Sequence, residues 1–211
     1  MKKIVIAIDG PSSSGKGTLA KKLALHFDLA YLNTGAIYRL IAYRVIHQKL
    51  DPNNIEEFLT TLTKNINEQD LENEELFSEK VGGIASIIAK SKNLRQNIFQ
   101  FQRDFVENGK ITKQGCVLDG RDTTTVICPN ANYKFFVTAD VEIRAKRRFN
   151  QFANQDYNEI LAQLKKRDEN DSNRAESPLK IADDAIVIDN GNLTIAQSFE
   201  KILEKIKIPH D

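Results

Sequence analysis

Lys3-Ile4-Val5-Ile6-Ala7-Ile8-Asp9-Gly10-Pro11-Ser12-Ser13-Ser14-Gly15-Lys16-Gly17-Thr18 is the stretch that decides the fold. Lys3 to Ile8 is a β-branched run stopped by Asp-Gly-Pro, the pattern of a buried strand ended by a loop. Gly10 to Thr18 then reads G-x-x-x-x-G-K, and Leu19 to Phe27 continues with helical spacing, so the motif stands between a strand and a helix. Glycines let such a loop curl until successive amide N–H groups point at a phosphate. The helix N-terminus adds its positive dipole end, and Lys16 spans the β- and γ-phosphates. A glycine-rich turn with a solvated lysine is the competing reading, and the flanking strand and helix disfavour it. The slot after the lysine, where Ser or Thr commonly serves magnesium, is Gly17, with Thr18 one place later. No N-K-x-D guanine-reading motif occurs, which weakens a switch-type GTPase.

Outward from the loop, short apolar runs alternate with helical ones. Cys116 to Leu118, Tyr133 to Thr138 and Ala185 to Ile188 read as strands. Gly35 to His47, Glu56 to about Ile66, Ile84 to Lys90, Leu94 to Val106, Val141 to Phe152 and Leu193 to Ile206 read as helices. Asn67 to Glu75 is acidic and without period, an exposed connection, and Gly82-Gly83 breaks a helix or its start. Strands alternating with helices predict a parallel sheet covered on both faces, a three-layer α/β fold with its phosphate site at the strands' carboxyl ends. At 211 residues the chain suits one domain with an insertion.

Composition narrows the function. The 30 Lys plus Arg nearly cancel 29 Asp plus Glu for a net charge of +1, which disfavours a whole-surface nucleic-acid binder and requires any functional positive charge to be local. No run approaches a membrane span, and the apolar run before Asp9 is too short for a signal peptide. Cys116 and Cys128 show no C-x-x-C pairing, and His26, His47 and His210 have no metal spacing, which disfavours zinc hydrolysis. The expectation is a protein of the reducing cytoplasm.

A kinase that phosphorylates a small phosphate must hold an acceptor bearing up to two negative charges opposite the γ-phosphate, so arginines should converge on the loop. Candidates are Arg39 in Thr34-Gly35-Ala36-Ile37-Tyr38-Arg39, Arg121 in Asp119-Gly120-Arg121-Asp122, and Arg167 with Arg174. Their planar forks suit phosphate oxygens. On a helix ended by Ser177-Pro178, Arg167, Asp171 and Arg174 share one face. A helix N-cap, a surface turn and a solvated helix end are the bland readings of the three segments. Tyr38 is assigned to the core.

These segments, in this order and spacing and over nearly the whole chain, resemble bacterial cytidylate (CMP) kinase, within the nucleoside monophosphate kinases. The resemblance implies a P-loop kinase domain over residues 1–211, with an acceptor-binding region at 34–95 and a short lid at 166–178. It implies ATP on Gly10, Pro11, Ser12, Ser13, Ser14, Gly15, Lys16, Gly17 and Thr18, and the CMP phosphate on Arg39, Arg121 and Arg174. Arg167 matches a lid arginine near the transferring group, Asp171 and Thr34 lie near the ribose, and Ser86, Arg95 and Asp122 read cytosine. Lys16, Arg121, Arg167 and Arg174 carry the chemistry with Mg2+, on CMP and dCMP, in a monomer that binds neither nucleic acid nor membrane. The direct magnesium ligands stay open, Asp119 through metal-bound water being one possibility. Departures from the family pattern are Asn33 in place of Asp, Thr123-Thr124-Thr125 in place of apolar-Gly-Thr, and a shorter insertion between Arg39 and Arg95 with little alternating strand pattern. A UMP-preferring kinase and a non-catalytic ATP-binding regulator are the alternatives.

Arg174→Ala is expected to lose on the order of 10³ in kcat/KM. Near-normal turnover in a coupled ADP assay would remove Arg174 from the machinery.

Overall fold

The computed structural model describes residues 3–151 and 156–207. Among the described residues, five parallel strands form one sheet in the order β2-β3-β1-β4-β5: β1 (Ile4–Asp9), β2 (Ala30–Asn33), β3 (Gly115–Gly120), β4 (Tyr133–Thr138) and β5 (Ile186–Asp189). The helices are α1 (Lys16–His26), α2 (Thr34–His47), α3 (Leu59–Leu62), α4 (Glu79–Ile88), α5 (Lys92–Thr112), α6 (Val141–Phe149), α7 (Tyr157–Asn173) and α8 (Ile195–Leu203).

Pleating divides the strand residues between two cores. Val5, Ala7, Cys116 and Leu118 pack with Ile37, Ile41, Phe105 and Val106 of α2 and α5. Ile6, Ile8, Val117 and Phe135 face the other way, onto Leu19 and Leu23 of α1 and Ile202 of α8. The architecture is thus the expected three layers. The connection after β1 leads to β2 at one edge, whereas that after β3 crosses to β4. The neighbouring carboxyl ends of β1 and β3 therefore open onto one crevice, the place where such sheets hold ligands.

Several expectations are corrected. The edge strand β2 is absent from the sequence reading because Ala-Tyr-Leu-Asn is short and lacks a β-branched run; its pairing with β3 makes it a strand. Residues 67–75 are mostly exposed, as expected, but are not featureless: the 3₁₀ turn Gln69–Glu72 buries Leu71, and the next, Glu74–Phe77, buries Leu76. Instead of running from Glu56 to Ile66, the preceding helix is a 3₁₀ turn followed by α3, which ends at Leu62. Arg44 of α2 donates to the carbonyls of Leu62 and Lys64 at 2.8 and 2.7 Å, taking the acceptors a longer helix would use. Gly82-Gly83 does not break a helix but lies inside α4, capped by Ser78. A Cβ on Gly82 would stand 2.9 Å from Arg39 Nη2 and 3.3 Å from Arg167 Nη1, so the bare backbone is what lets both guanidinium groups approach. α7 stops at Asn173, leaving Arg174 as its extended C-cap rather than on the helical face. The predicted helix from Val141 ends by Phe149; Phe152, its predicted end, and His210 lie outside the described residues.

Leu76 is fully buried while its neighbour Phe77 is 38% exposed. Leu76→Ala should therefore cost about 2–5 kcal/mol in urea unfolding, the range for a cavity in a packed core. A cost under about 0.5 kcal/mol would show the insertion to be loosely attached.

Candidate active site

Backbone geometry shapes the loop. Gly10, Ser13 and Gly15 have φ of 154°, 59° and 88°. At Gly10 a Cβ would lie 2.0 Å from the carbonyl oxygen of Val137, so no side chain fits there. Three loop carbonyls are held by side chains, one within the loop and two from outside: Pro11 by Lys16 Nζ (3.1 Å), Ser12 by Arg144 Nη1 (3.1 Å) and Ser14 by Asn190 Nδ2 (2.7 Å). In a trans peptide the N–H points opposite to the C=O, so the following amides of Ser12, Ser13 and Gly15 turn to the other side. Ser14 Oγ is buried with no hydrogen-bond partner among the described residues.

One cavity at the β1/β3 crevice is lined by Ser12, Lys16 and Gly17 of the loop together with Thr34, Arg39, Ser86, Arg95, Arg121, Asp122, Arg167, Asp171 and Arg174. The structure thus brings together the expected acceptor residues, drawn from α2, α4, α5, the end of β3 and α7. Thr18 is exposed and lies outside this lining. Tyr38, expected in the core, also faces the cavity, with the Arg95 guanidinium 5.2 Å from its ring centroid.

Arg39 is anchored on the carbonyl of Leu76 (2.7 Å), Arg121 Nε on Asp171 Oδ2 (2.7 Å), and Arg174 Nε on the carbonyl of Ser177 (2.6 Å). Arg95 donates to the Ala89 carbonyl (2.7 Å) and to Asp122 Oδ2 (3.0 Å). Three buried polar atoms of the lining keep no hydrogen-bond partner among the described residues: Ser86 Oγ, Arg167 Nε and Arg174 Nη2. Orphaned donors of this kind are rare and costly in a folded protein, and a ligand satisfies them.

Electrostatics point the same way. Burial, followed by the charge of Arg121, pulls the Lys16 ammonium down to about 7. Burial and then Arg167 lower Arg39 to about 9, and burial and then Arg121 lower Arg167 to about 10. Burial raises the carboxyls of Asp119 and Asp122. Burial works to raise Asp171 as well, but Arg121 and Arg167 outweigh it and hold Asp171 below its usual range. The cavity holds more positive charge than its carboxylates compensate, and an anion relieves that excess.

No group of three or more His, Cys, Asp or Glu that could cage a metal occurs among the described residues. Asp119, buried at the end of β3, offers one carboxylate beside Gly17 and receives the Tyr31 hydroxyl on Oδ2 at 2.6 Å. That donor set suits Mg2+, which keeps several waters and is held by one or two carboxylates plus substrate phosphates. Cys116 and Cys128 are buried and free. His26 packs on Phe27 and Phe199, and His47 on Tyr43.

The sequence reading missed Arg144, Asn190, Asp9 and Tyr31. Arg144 could have been singled out from the basic run Arg144-Ala145-Lys146-Arg147-Arg148, but such runs usually mark a solvated face. Here Arg144 is buried and also forks onto Asp168 at 2.6 and 3.2 Å.

The family model described as Cytidylate kinase matches residues 6–208. Cytidylate kinase of Bartonella henselae is 42% identical over 94% of this chain and 92% of that protein, and that of Bartonella quintana 43% over 95% and 93%. The crystal structure of an uncharacterized protein from Eubacterium ventriosum superposes with a TM-score of 0.54 at 19% identity, covering 96% of this chain and 98% of that one, a likeness of fold alone. A loop, a crevice and an arginine cluster of this kind, matched along almost the whole length, place the chain in the cytidylate kinase family.

Proposed function

We propose that the protein transfers the γ-phosphoryl group of Mg-ATP directly to CMP or dCMP, giving ADP and CDP or dCDP. The three orphaned donors that line the cavity beside Lys16 carry this reading. Two are arginine N–H groups suited to phosphate oxygens. The third, the Ser86 hydroxyl, shares the cavity with Arg95 and Asp122, as the edge of a cytosine with an N4 donor and N3 and O2 acceptors would require.

In this reading the loop from Gly10 to Thr18 cradles ATP, and Arg39, Arg121 and Arg174 hold the acceptor phosphate. Thr34 and Asp171 face the sugar, residues 34–95 form the acceptor region, and residues 166–178 form the lid. Asp171 has Oδ2 committed to Arg121, while Oδ1 stands 3.8 Å from Arg174 and is open to a hydroxyl. No general base is needed: a phosphate monoester with a second pKa of about 6 is already dianionic at neutral pH. Catalysis then consists of positioning and charge stabilisation by Lys16, Arg121, Arg167 and Arg174 around the transferring group. Magnesium, held by Asp119 and the phosphates of ATP, would neutralise further phosphate charge. Lid closure excludes the water that would otherwise compete as acceptor.

With Mg-ATP, the wild type should form ADP with CMP and dCMP and not with UMP, AMP or GMP. Preference for another monophosphate would overturn the cytosine assignment, and no turnover with any would overturn the kinase reading. Arg95→Met should raise KM for CMP on the order of tenfold or more, since it strips Asp122 of its partner; an unchanged KM would remove Arg95 from base reading.

Lys16 gives a pH signature. Its ammonium titrates near 7 in the free protein, so at pH 8 it is mostly neutral, and bound phosphates restore the charge. ATP binding at pH 8 should therefore take up close to one proton, read by calorimetry in buffers of differing ionisation enthalpy. Lys16→Met should lose that uptake; uptake that persists in the variant would contradict the assignment.

A further inference from the structure

Asp9 ends β1, is fully buried and contributes nothing to the cavity lining, yet its carboxylate is fully engaged. Oδ1 accepts the N–H and hydroxyl of Thr123 at 2.9 and 2.7 Å, and Oδ2 accepts those of Thr124 at 2.8 and 2.6 Å. Four donors fill the acceptor capacity of a carboxylate, which leaves Asp9 no part as a base or a metal ligand. On one side Asp9 is bonded to Gly10 of the phosphate loop. On the other, Thr123 follows Arg121 and Asp122, the residues aimed at the acceptor.

We propose that Asp9 is a positioning residue that locks the acceptor clamp to the top of the sheet through Thr123 and Thr124. The ladder between β1 and β3 pairs Asp9 with Gly120 and ends there, so it does not fix what comes next. The next element is a single turn of π-helix, Thr123–Ile127, whose leading N–H groups have no partner within the turn. Asp9 satisfies two of them and, by engaging both hydroxyls, sets the side chains as well. With the turn fixed, Asp122 reaches Arg95 at 3.0 Å and Arg121 reaches Asp171 at 2.7 Å. The loop that follows Asp9 is braced separately, by Arg144 on Ser12 and Asn190 on Ser14. Loosening Asp9 should therefore release the acceptor side and spare the ATP side.

The proposal rests on the cavity being the CMP site, and the test separates the two claims. Steady-state KM values for CMP and ATP are measured alongside urea unfolding for the wild type, Asp9→Asn, Thr124→Val and Thr124→Ser. Thr124→Val should raise KM for CMP about tenfold with KM for ATP changed by less than about twofold, and Thr124→Ser, which keeps the donor, should stay within about threefold of the wild type. Asp9→Asn should show the same split, and Asp9→Asn with Thr124→Val should lose less than the product of the single effects. Parallel rises in both KM values, or lost stability with KM for CMP unmoved, would overturn the proposal. Should Asp9→Asn not fold, the Thr124→Val and Thr124→Ser pair decides. Should the wild type turn over a different monophosphate, the CMP reading fails by itself and the same split is read with that acceptor.

Discussion

Crowding of like charge in a buried space is the constraint on which this molecule turns. Lys16, Arg39, Arg121, Arg167 and Arg174 reach one cavity from three helices and the end of a strand, and burial alone disfavours the charged form of most of them. Such an arrangement is held by the contacts that anchor most of the cations, while Arg167 keeps its Nε without a partner among the described residues. Arg39 hangs on backbone carbonyls, Arg121 on Asp171, and Arg174 on a carbonyl past the end of α7. The two-sided core beneath, with strands packed against helices on both faces, supplies the rigidity. Pre-organised charge of this kind is spent on the ligand, because the reorganisation has been completed on folding.

Much of this was legible in the residues. β1 could be seen because a strand buried on both faces reads as a continuous apolar run, β4 from its Phe135-Phe136-Val137 centre, and the loop because glycine and lysine spacing there serves a specific backbone geometry. The arginines could be listed before their convergence was visible, since a phosphate acceptor demands them. What stayed hidden depended on partners distant in sequence. β2 is a strand only because β3 lies beside it, and the acidic segment around Leu71 and Leu76 packs only because α2 and α4 present apolar faces to it. Tyr38 packs against the core as its helical position implies, and its second role, under the Arg95 guanidinium at the cavity, depends on a residue far along the chain.

The departures from the family pattern acquire a physical reading. Asn33 caps α2, accepting the Ala36 N–H at 3.2 Å, so an amide in place of the expected carboxylate still secures the helix start. Thr123 and Thr124 supply hydroxyls that Asp9 engages, where an apolar residue and a glycine would supply only their amides. The segment between Arg39 and Arg95 holds no strand and lines the cavity with helices and 3₁₀ turns, anchored by Arg39 and Arg44 on its carbonyls.

If the cavity is a pre-charged trap for the phosphate of a nucleoside monophosphate, CMP binds it and the nucleoside without its phosphate does not. Thermal unfolding with rising CMP, set against rising cytidine, tests it most directly, because a ligand that binds only the native state raises Tm. CMP should raise Tm in a concentration-dependent way that fades with added salt, and cytidine should leave it nearly unmoved. Equal shifts from the two, or none from CMP, would contradict the claim.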